Sequence, residues 1–278
     1  MRLTPKKGAP MAEKASSNLP ASIITLAIAS ADAVGTMEKI REASPDGFTM
    51  LNLDRISFPT ADSLTFNVPT EEGPDPQRYL DAIIAHHHAA RQRYDGPYDP
   101  ATPTPPLCVS YDGIRGQGKP GGLCATCRYN QVGPDAECRP YRWLYLLFPE
   151  SVFPTFFPLP RTSLSRKLTN GIAKYLVGLA KGGRNKVKGG LWPWEVVTRI
   201  GLTDRQRGVG KVATFTEGPR LSSVQADVVK EYVKSFRASL TFPAIGGSAF
   251  ISDLCDDDET GDGLNEGDGS DEGDGLDI

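Results

Sequence analysis

From Phe48 onward the apolar residues fall in short runs divided by turn chemistry. Phe48, Met50, Leu51, Leu53 and Ile56 are followed by Pro59-Thr60-Ala61-Asp62, and Leu64, Phe66 and Val68 by Glu72-Gly73-Pro74. Two β-prone runs around a turn predict a hairpin. Residues 79–94 mix alanines, which favour helix, with Leu80, Ile83 and Ile84, which suit either state; we read them as a strand. Tyr141-Arg142-Trp143-Leu144-Tyr145-Leu146-Leu147-Phe148 is aromatic and reads as a strand more clearly. Thr162-Ser163 can cap a helix in which Leu164, Leu168, Ile172, Leu176 and Leu179 recur at spacings of three and four, ending at Gly182-Gly183. In residues 194–202, Val196, Thr198 and Ile200 alternate with Val197, Arg199 and Gly201, and residues 211–216 supply a partner strand. Ser222 or Ser223 opens a second helix with Val224, Val228, Tyr232 and Phe236 on one face. Before all of this, residues 1–20 have no periodicity and read as a flexible arm, and residues 22–42 read as a short helix stopped by Ser44-Pro45-Asp46-Gly47.

The predicted class is mainly β with helices, a β-rich α+β chain. With 278 residues it can bury a core without disulfide staples, and its 29 Gly and 23 Pro argue against long helical bundles. Charge divides the chain. Residues 253–278 hold 12 acidic and no basic residues, which leaves 22 acidic against 31 basic residues in the first 252. A body at +9 calls for a polyanionic partner, and a like-charged end block reads as a disordered interaction tail. Residues 21–29 form the one long apolar run, far short of the roughly 20 residues a spanning helix needs. With lysines upstream the run resembles a signal peptide, but those lysines are distant from it and the cysteine spacing suits a reducing compartment; a cytoplasmic location is expected.

Cys124-x2-Cys127 is a knuckle spacing that brings two thiolates to one metal ion. Cys108 precedes it by 16 positions and Cys138 follows Cys127 by 11, with Gly113, Gly116, Gly118, Gly121 and Gly122 allowing sharp turns between. These four cysteines are the candidate ligands of a structural Zn2+; two disulfides or a redox thiol pair are the other readings of the same spacing. Cys255, in the acidic segment, has no evident partner. His86-His87-His88 would alternate faces in a strand, so at most two could share a ligand site, and a solvated or partly stacked cluster is expected. No phosphate-cradling glycine motif, HExxH or nucleophile elbow is present, and no paired carboxylates accompany Asp112 or Asp135, so no enzymatic activity is expected.

Basic and aromatic residues interleave in two segments. Arg128, Tyr129, Arg142, Trp143 and Tyr145 surround the cysteine loop, while Lys181, Arg184, Lys186 and Lys188 precede Trp192, Trp194 and Arg199. Rings that stack on bases beside cations that follow phosphates are what unpaired nucleic acid requires. Asp256, Asp257 and Asp258, with the apolar-tipped end Leu276, Asp277 and Ile278, form a candidate contact for partner proteins.

Taken together, these features resemble the single-stranded DNA-binding proteins of bacteria and their phages. Pro106-Leu107-Cys108-Val109-Ser110-Tyr111-Asp112-Gly113 and Gly122-Leu123-Cys124-Ala125-Thr126-Cys127 through Cys138 look like a zinc-loop pattern of phage and mobile-element proteins, over about residues 48–216. The resemblance implies an oligonucleotide-binding (OB-like) five-stranded barrel over residues 21–252, with an inserted zinc loop at about 106–140, flanking helices and a 253–278 tail that recruits replication or recombination proteins. It implies coating of single-stranded DNA. A zinc-ribbon factor that binds a replication or transcription protein is the alternative.

Overall fold

The computed structural model describes residues 48–49, 52–59, 63–95, 105–130, 137–149, 151–164, 168–204 and 211–241, with single helical positions at Gly35, Lys39 and Glu42. The arm at 1–20, most of the 22–42 helix, Cys255 and the acidic residues Asp256, Asp257, Asp258, Leu276, Asp277 and Ile278 lie outside the described residues. The strands are β1 (Phe48–Thr49), β2 (Phe66–Val68), β3 (Asp75–Gln77), β4 (Leu80–Arg93), β5 (Cys108–Ser110), β6 (Arg115–Gly118), β7 (Gly122–Leu123), β8 (Cys138–Leu147), β9 (Thr155–Leu159), β10 (Val196–Asp204), β11 (Lys211–Arg220) and β12 (Leu240–Thr241). The α-helices with bounds among the described residues are α1 (Ile172–Ala180) and α2 (Ser223–Ser239).

The 14-residue strand β4 organises the rest. One of its edges pairs with β8 from Ile83 to Arg93, and the opposite edge pairs first with β10, at Leu80 to Ile83, and then with β5, at Arg91 to Arg93. Pairing with β8 from Ile83 to Arg93 is what holds the alanines and histidines of residues 83–90 extended despite their helix propensity. Because β4 shares one edge between two partners, the sheet branches. It runs β11-β10-β4-β5-β6-β7, with β8 and β9 off the β4 edge. Among the described residues it is an open, mainly β sheet of eight strands, and no closed five-stranded barrel is present.

Pairing register sorts the side chains onto two faces, since directly opposed residues share a side. On the first face Ile83, Ala90, Trp143, Tyr145, Leu147, Phe156 and Val197 pack beneath Val229, Tyr232, Val233 and Phe236 of α2. On the second, Leu80, Ile84, Leu144, Leu146, Phe157, Leu159 and Ile200 meet Ile172, Tyr175 and Leu179 of α1. A bulge at residues 84–86 rephases β4 between these sets.

Three sequence expectations change. The run at 48–56 does not form a hairpin with 64–68: β1 pairs in parallel with β12, and β2 pairs with β3. Ser57 keeps a single antiparallel bridge to Asn67. The helix expected from Thr162 is reduced to α1, because the backbone before it serves the exposed edge of β11. Ser163 Oγ accepts from Ala213 N at 3.0 Å and Asn170 O from Phe215 N at 2.8 Å, which satisfies edge amides that a continuous helix would leave open. On α2, Val224 is 73% exposed. The buried stripe is Val229, Tyr232, Val233 and Phe236, and Val224 sits about 140° round the helix from Val229. Ser222 does cap this helix, its Oγ accepting from Gln225 N while Gln225 Oε1 accepts from Ser222 N.

The three histidines alternate as the strand requires. His86 and His88 lie on the first face, with ring centroids 5.5 Å apart and each 5.7 Å from Tyr145, and His88 Nε2 is 3.1 Å from the Tyr145 hydroxyl. His87 lies on the second face. The cluster is stacked and half-buried, not solvated.

Two outcomes follow from this packing. Phe236→Ala removes a fully buried ring between α2 and Tyr145 and is expected to cost about 3–5 kcal/mol, read as a lowered urea midpoint. Burial, followed by the charges of His88 and Arg237, pushes His86 down to about 3, and burial with Arg142 pushes His87 down to about 4. Both imidazoles therefore bind protons more weakly in the folded chain, so their stabilisation is complete above the unfolded value near 6.5 and is lost as pH falls toward 3–4. The urea midpoint should decline from pH 6.5 downward, and His86→Gln with His87→Gln should flatten that decline between pH 6.5 and 5.

Candidate functional site

Beyond Ala90 the hydrophobic cover of β4 ends, and polar chemistry replaces it. Cys108 of β5 and Cys138 of β8 both lie opposite Arg93, one on each side, so both thiols rise from the second face. Cys124 opens a 3-10 turn through Thr126, and Cys127 N donates to Cys124 O at 3.3 Å to close it. Asn130 fastens this turn: its Nδ2 donates to Cys124 O at 2.7 Å, its backbone N donates to Cys127 O at 3.0 Å, and its Oδ1 accepts from Arg91. The four cysteines, although spread over 31 positions, line one cavity of about 10 Å3 with Arg91, Arg93 and Tyr129. That is room for about one water-sized body.

Glycine makes the close approach possible. A Cβ on Gly116 would stand 2.7 Å from Cys108 Sγ, and Gly121, at φ +72°, would place one 2.9 Å from Gly118 O. Burial pushes the Cys108 and Cys138 thiols up, opposed by an N–H from Gly121 to the first and a side-chain hydrogen bond from Arg91 to the second. Cys108, Cys124, Cys127 and Cys138 are free thiols, and among the described residues no group of three or more His, Cys, Asp or Glu side chains has the arrangement of a formed metal site. By residue type the donor set is that of a four-thiolate ion: four sulfurs line one small cavity, with N–H donors aimed at two of them.

At the cavity's rim stand Tyr129 and Arg128 of the expected nucleic-acid residues. Arg93 donates from Nε and Nη2 to Glu137 Oε2 at 2.9 and 2.7 Å, donates to Lys119 O at 3.3 Å, and lies 3.7 Å from the centre of the Tyr129 ring. Arg128, exposed, approaches the same ring at 4.6 Å. Two guanidinium groups thus approach the Tyr129 ring.

The second group forms an ordered loop after α1. Gly183 N donates to Gly178 O and Gly182 N to Leu179 O, Val187 N returns to Gly182 O, and Leu191 N closes on Leu179 O. The helix end turns through Gly182 and Gly183, both at positive φ, where a Cβ would meet Val187 N at 2.4 Å and Glu217 Oε2 at 2.5 Å. Glu217, nearly buried, accepts from Arg184 N at 2.7 Å and pairs with Arg220. Lys181, Arg184, Lys186 and Lys188 are all exposed, and none of their side chains makes an ion pair among the described residues. Trp192 follows, 61% exposed, its ring stacked on Trp194 at 4.8 Å and 7°. Glu195 locks the pair by accepting from Trp192 N at 2.7 Å, and Trp194 packs against the core beneath α2.

The remaining expected contacts need correction. Trp143 and Tyr145 are fully buried in the first-face core and have no surface to offer a base. Their strand is central, so its inward aromatic positions are core. Arg142, on the opposite side of the same strand, is half-buried and donates to His87 Nδ1 at 3.2 Å. Arg199 is engaged by Asp81 through two 2.8 Å hydrogen bonds. Its guanidinium also lies 5.6 Å from the ring of Tyr79, and Arg78 lies 5.7 Å from the same ring. Tyr79, 47% exposed and seated over Gly201, was not among the expected residues. Only the β4–β10 register, which sets Leu80 against Ile200, brings it there.

Asp112, passed over as a catalytic acid, closes a turn by accepting from Ile114 N, Arg115 N and Ser110 Oγ at 2.7, 2.8 and 3.0 Å. No helix among the described residues is long and apolar enough to cross a membrane. No protein-family model, curated protein or solved structure matches this chain.

Proposed function

We propose that the chain is a non-enzymatic protein that binds single-stranded DNA, with Cys108, Cys124, Cys127 and Cys138 holding a structural Zn2+ beside the binding surface. The observation that carries the reading is the Trp192–Trp194 stack, one ring largely exposed, just after four exposed cations that make no ion pair among the described residues. A fixed aromatic face gives roughly 1–3 kcal/mol per stacked base, and its rigidity avoids the entropy of ordering a loose ring on binding. Lys181, Arg184, Lys186 and Lys188 supply the phosphate attraction, and the hydrogen-bonded turn that displays them keeps their backbone in place. The open β-sheet supports this reading without requiring a closed oligonucleotide-binding barrel.

Oligo-dT should bind more tightly than a duplex of the same length, with an affinity that falls steeply as salt is added. Trp192→Ala should weaken binding by about 5- to 150-fold, the equivalent of one stacked base, and leave the salt slope unchanged. Equal affinity for duplex, or no binding in low salt, overturns the proposal. A metal-pinned interaction module is then the better reading, favoured by Ile114 (62% exposed) and Leu123 (50% exposed) in and beside the β6–β7 hairpin at the cavity.

The metal is tested separately. Four thiolates leave no open position for water, so the ion would serve folding alone. Elemental analysis should find one zinc per chain, Cys124→Ser with Cys127→Ser should abolish it, and a chelator should lower the melting temperature. A well-folded wild type that takes up no zinc would remove this part of the proposal.

A further inference from the structure

α2 covers only part of the first face. Its apolar side chains lie over Ile83 of β4 and Val197 of β10, which are paired. Two positions further along both strands, Asp81 is opposite Arg199, and Arg199 is in turn opposite Thr216 of β11. Asp81 and Arg199 are half-buried, Thr216 is exposed, and none of the three joins the core beneath the helix. Tyr79 comes next. Leu80, paired with Ile200, belongs to the second-face core, so the side chain of Tyr79 turns to the first face and rests over Gly201.

A Cβ on Gly201 would stand 3.1 Å from Cδ1 and Cε1 of the ring and 3.4 Å from Thr214 Oγ1, so the ring fills the space that a side chain would need. Arg199, tied to Asp81 by two 2.8 Å hydrogen bonds, sets its guanidinium carbon 5.6 Å from the ring centre, and Arg78 sets its own 5.7 Å away. Tyr79 is nonetheless 47% exposed. Shielding a strand glycine occupies one side of a ring; the surface left over is a fixed aromatic face in water. Beside it Arg78 is exposed and makes no ion pair among the described residues, whereas Asp81 neutralises Arg199.

We infer that Tyr79 and Arg78 form a second contact for the unpaired strand, the ring stacking on a base and the guanidinium meeting a phosphate beside it. Every base has a π-face, whatever its identity, and in a duplex those faces are taken up by neighbouring bases. A cation next to the ring adds the phosphate attraction that stacking lacks. Trp192 and Tyr79 are distinct positions. Trp194, on which the Trp192 ring stacks, precedes β10, whereas Gly201 stands five residues past Val196, about 16 Å along the strand. Both serve the same side of the sheet, Trp194 through its contact with the core beneath α2 and Tyr79 through register. The inference rests on the proposed binding of single-stranded DNA and adds a point on the sheet itself to the Trp192 platform.

The test uses the full chain and an oligo-dT of about 16 nucleotides, long enough for a whole binding site. Tyr79→Leu keeps an apolar cover on Gly201 and removes the ring; it should weaken binding by about 5- to 150-fold with an unchanged salt slope, and Tyr79→Phe should bind like the wild type. Arg78→Gln should lower the slope of log affinity against log salt by about 0.7, the single-strand value for one phosphate, and an unaltered slope removes Arg78 from the site. Irradiation of the wild type with an iodouracil-substituted strand should leave an adduct on Tyr79, located by mass spectrometry. A folded Tyr79→Leu that binds like the wild type overturns the inference and leaves the Trp192 reading standing. Equal losses in Tyr79→Phe and Tyr79→Leu overturn it as well, since the hydroxyl would then carry the effect. A wild type that binds no oligo-dT removes the DNA reading and this inference together. Should Tyr79→Leu fail to fold, the adduct decides: its presence on Tyr79 supports the site, and its absence overturns it.

Discussion

The structure depends on the backbone hydrogen bonds of one long strand. The 14-residue β4 is paired with β8 from Ile83 to Arg93 on one edge, and on the other with β10 at Leu80–Ile83 and with β5 at Arg91–Arg93. Two-sided pairing commits both of its faces to cover. At the Leu80 end that cover exists, since α1 and the surrounding aliphatic residues close the second face and α2 closes the first from Ile83 onward. Toward Arg93 the cover on the second face runs out. Cysteine, arginine and tyrosine take over there, and the thiol cavity, the Arg91–Asn130 contact and the Arg93–Glu137 pair do locally what a hydrophobic core does at the other end.

That transition explains the placement of the candidate chemistry. A site at the end of a well-packed strand inherits a rigid floor while remaining open above, and the residues best held are those within one or two ladder positions of the core. Tyr79 is at such a boundary, where the neighbouring Leu80 and Ile200 are core while its own ring, over Gly201, is already exposed. Beside β4, just before β10, the same principle applies to Trp192. Its partner Trp194 is anchored in the α2 core, and this fixes the exposed ring without burying it.

Charge is organised with similar economy. Where a cation shares a sheet face with a carboxylate in register, as Arg199 with Asp81, it is neutralised and serves the fold. The loop after α1 holds four exposed cations, Lys181, Arg184, Lys186 and Lys188, that make no ion pair among the described residues. Net charge alone tells nothing of this, because pairing is a property of register.

Local patterns in the sequence were sufficient for several elements. Alternation around Val196 to Leu202, the aromatic run at 141–148, the Ser222 cap and the Gly182-Gly183 stop all appear where their chemistry places them, since each works within a few residues. The knuckle spacing of Cys124 and Cys127 likewise marked a thiol cluster. Other features were not legible. That Trp143 and Tyr145 are core while Trp192 is exposed depends on strand centrality, and the open sheet depends on β4 dividing one edge between two partners. Tyr79 over Gly201, and Arg142 against His87, are meetings of residues 122 and 55 positions apart. Propensity and spacing act along the chain; burial, register and counter-charge are set by the neighbours that folding brings across it, and those only the tertiary structure decided.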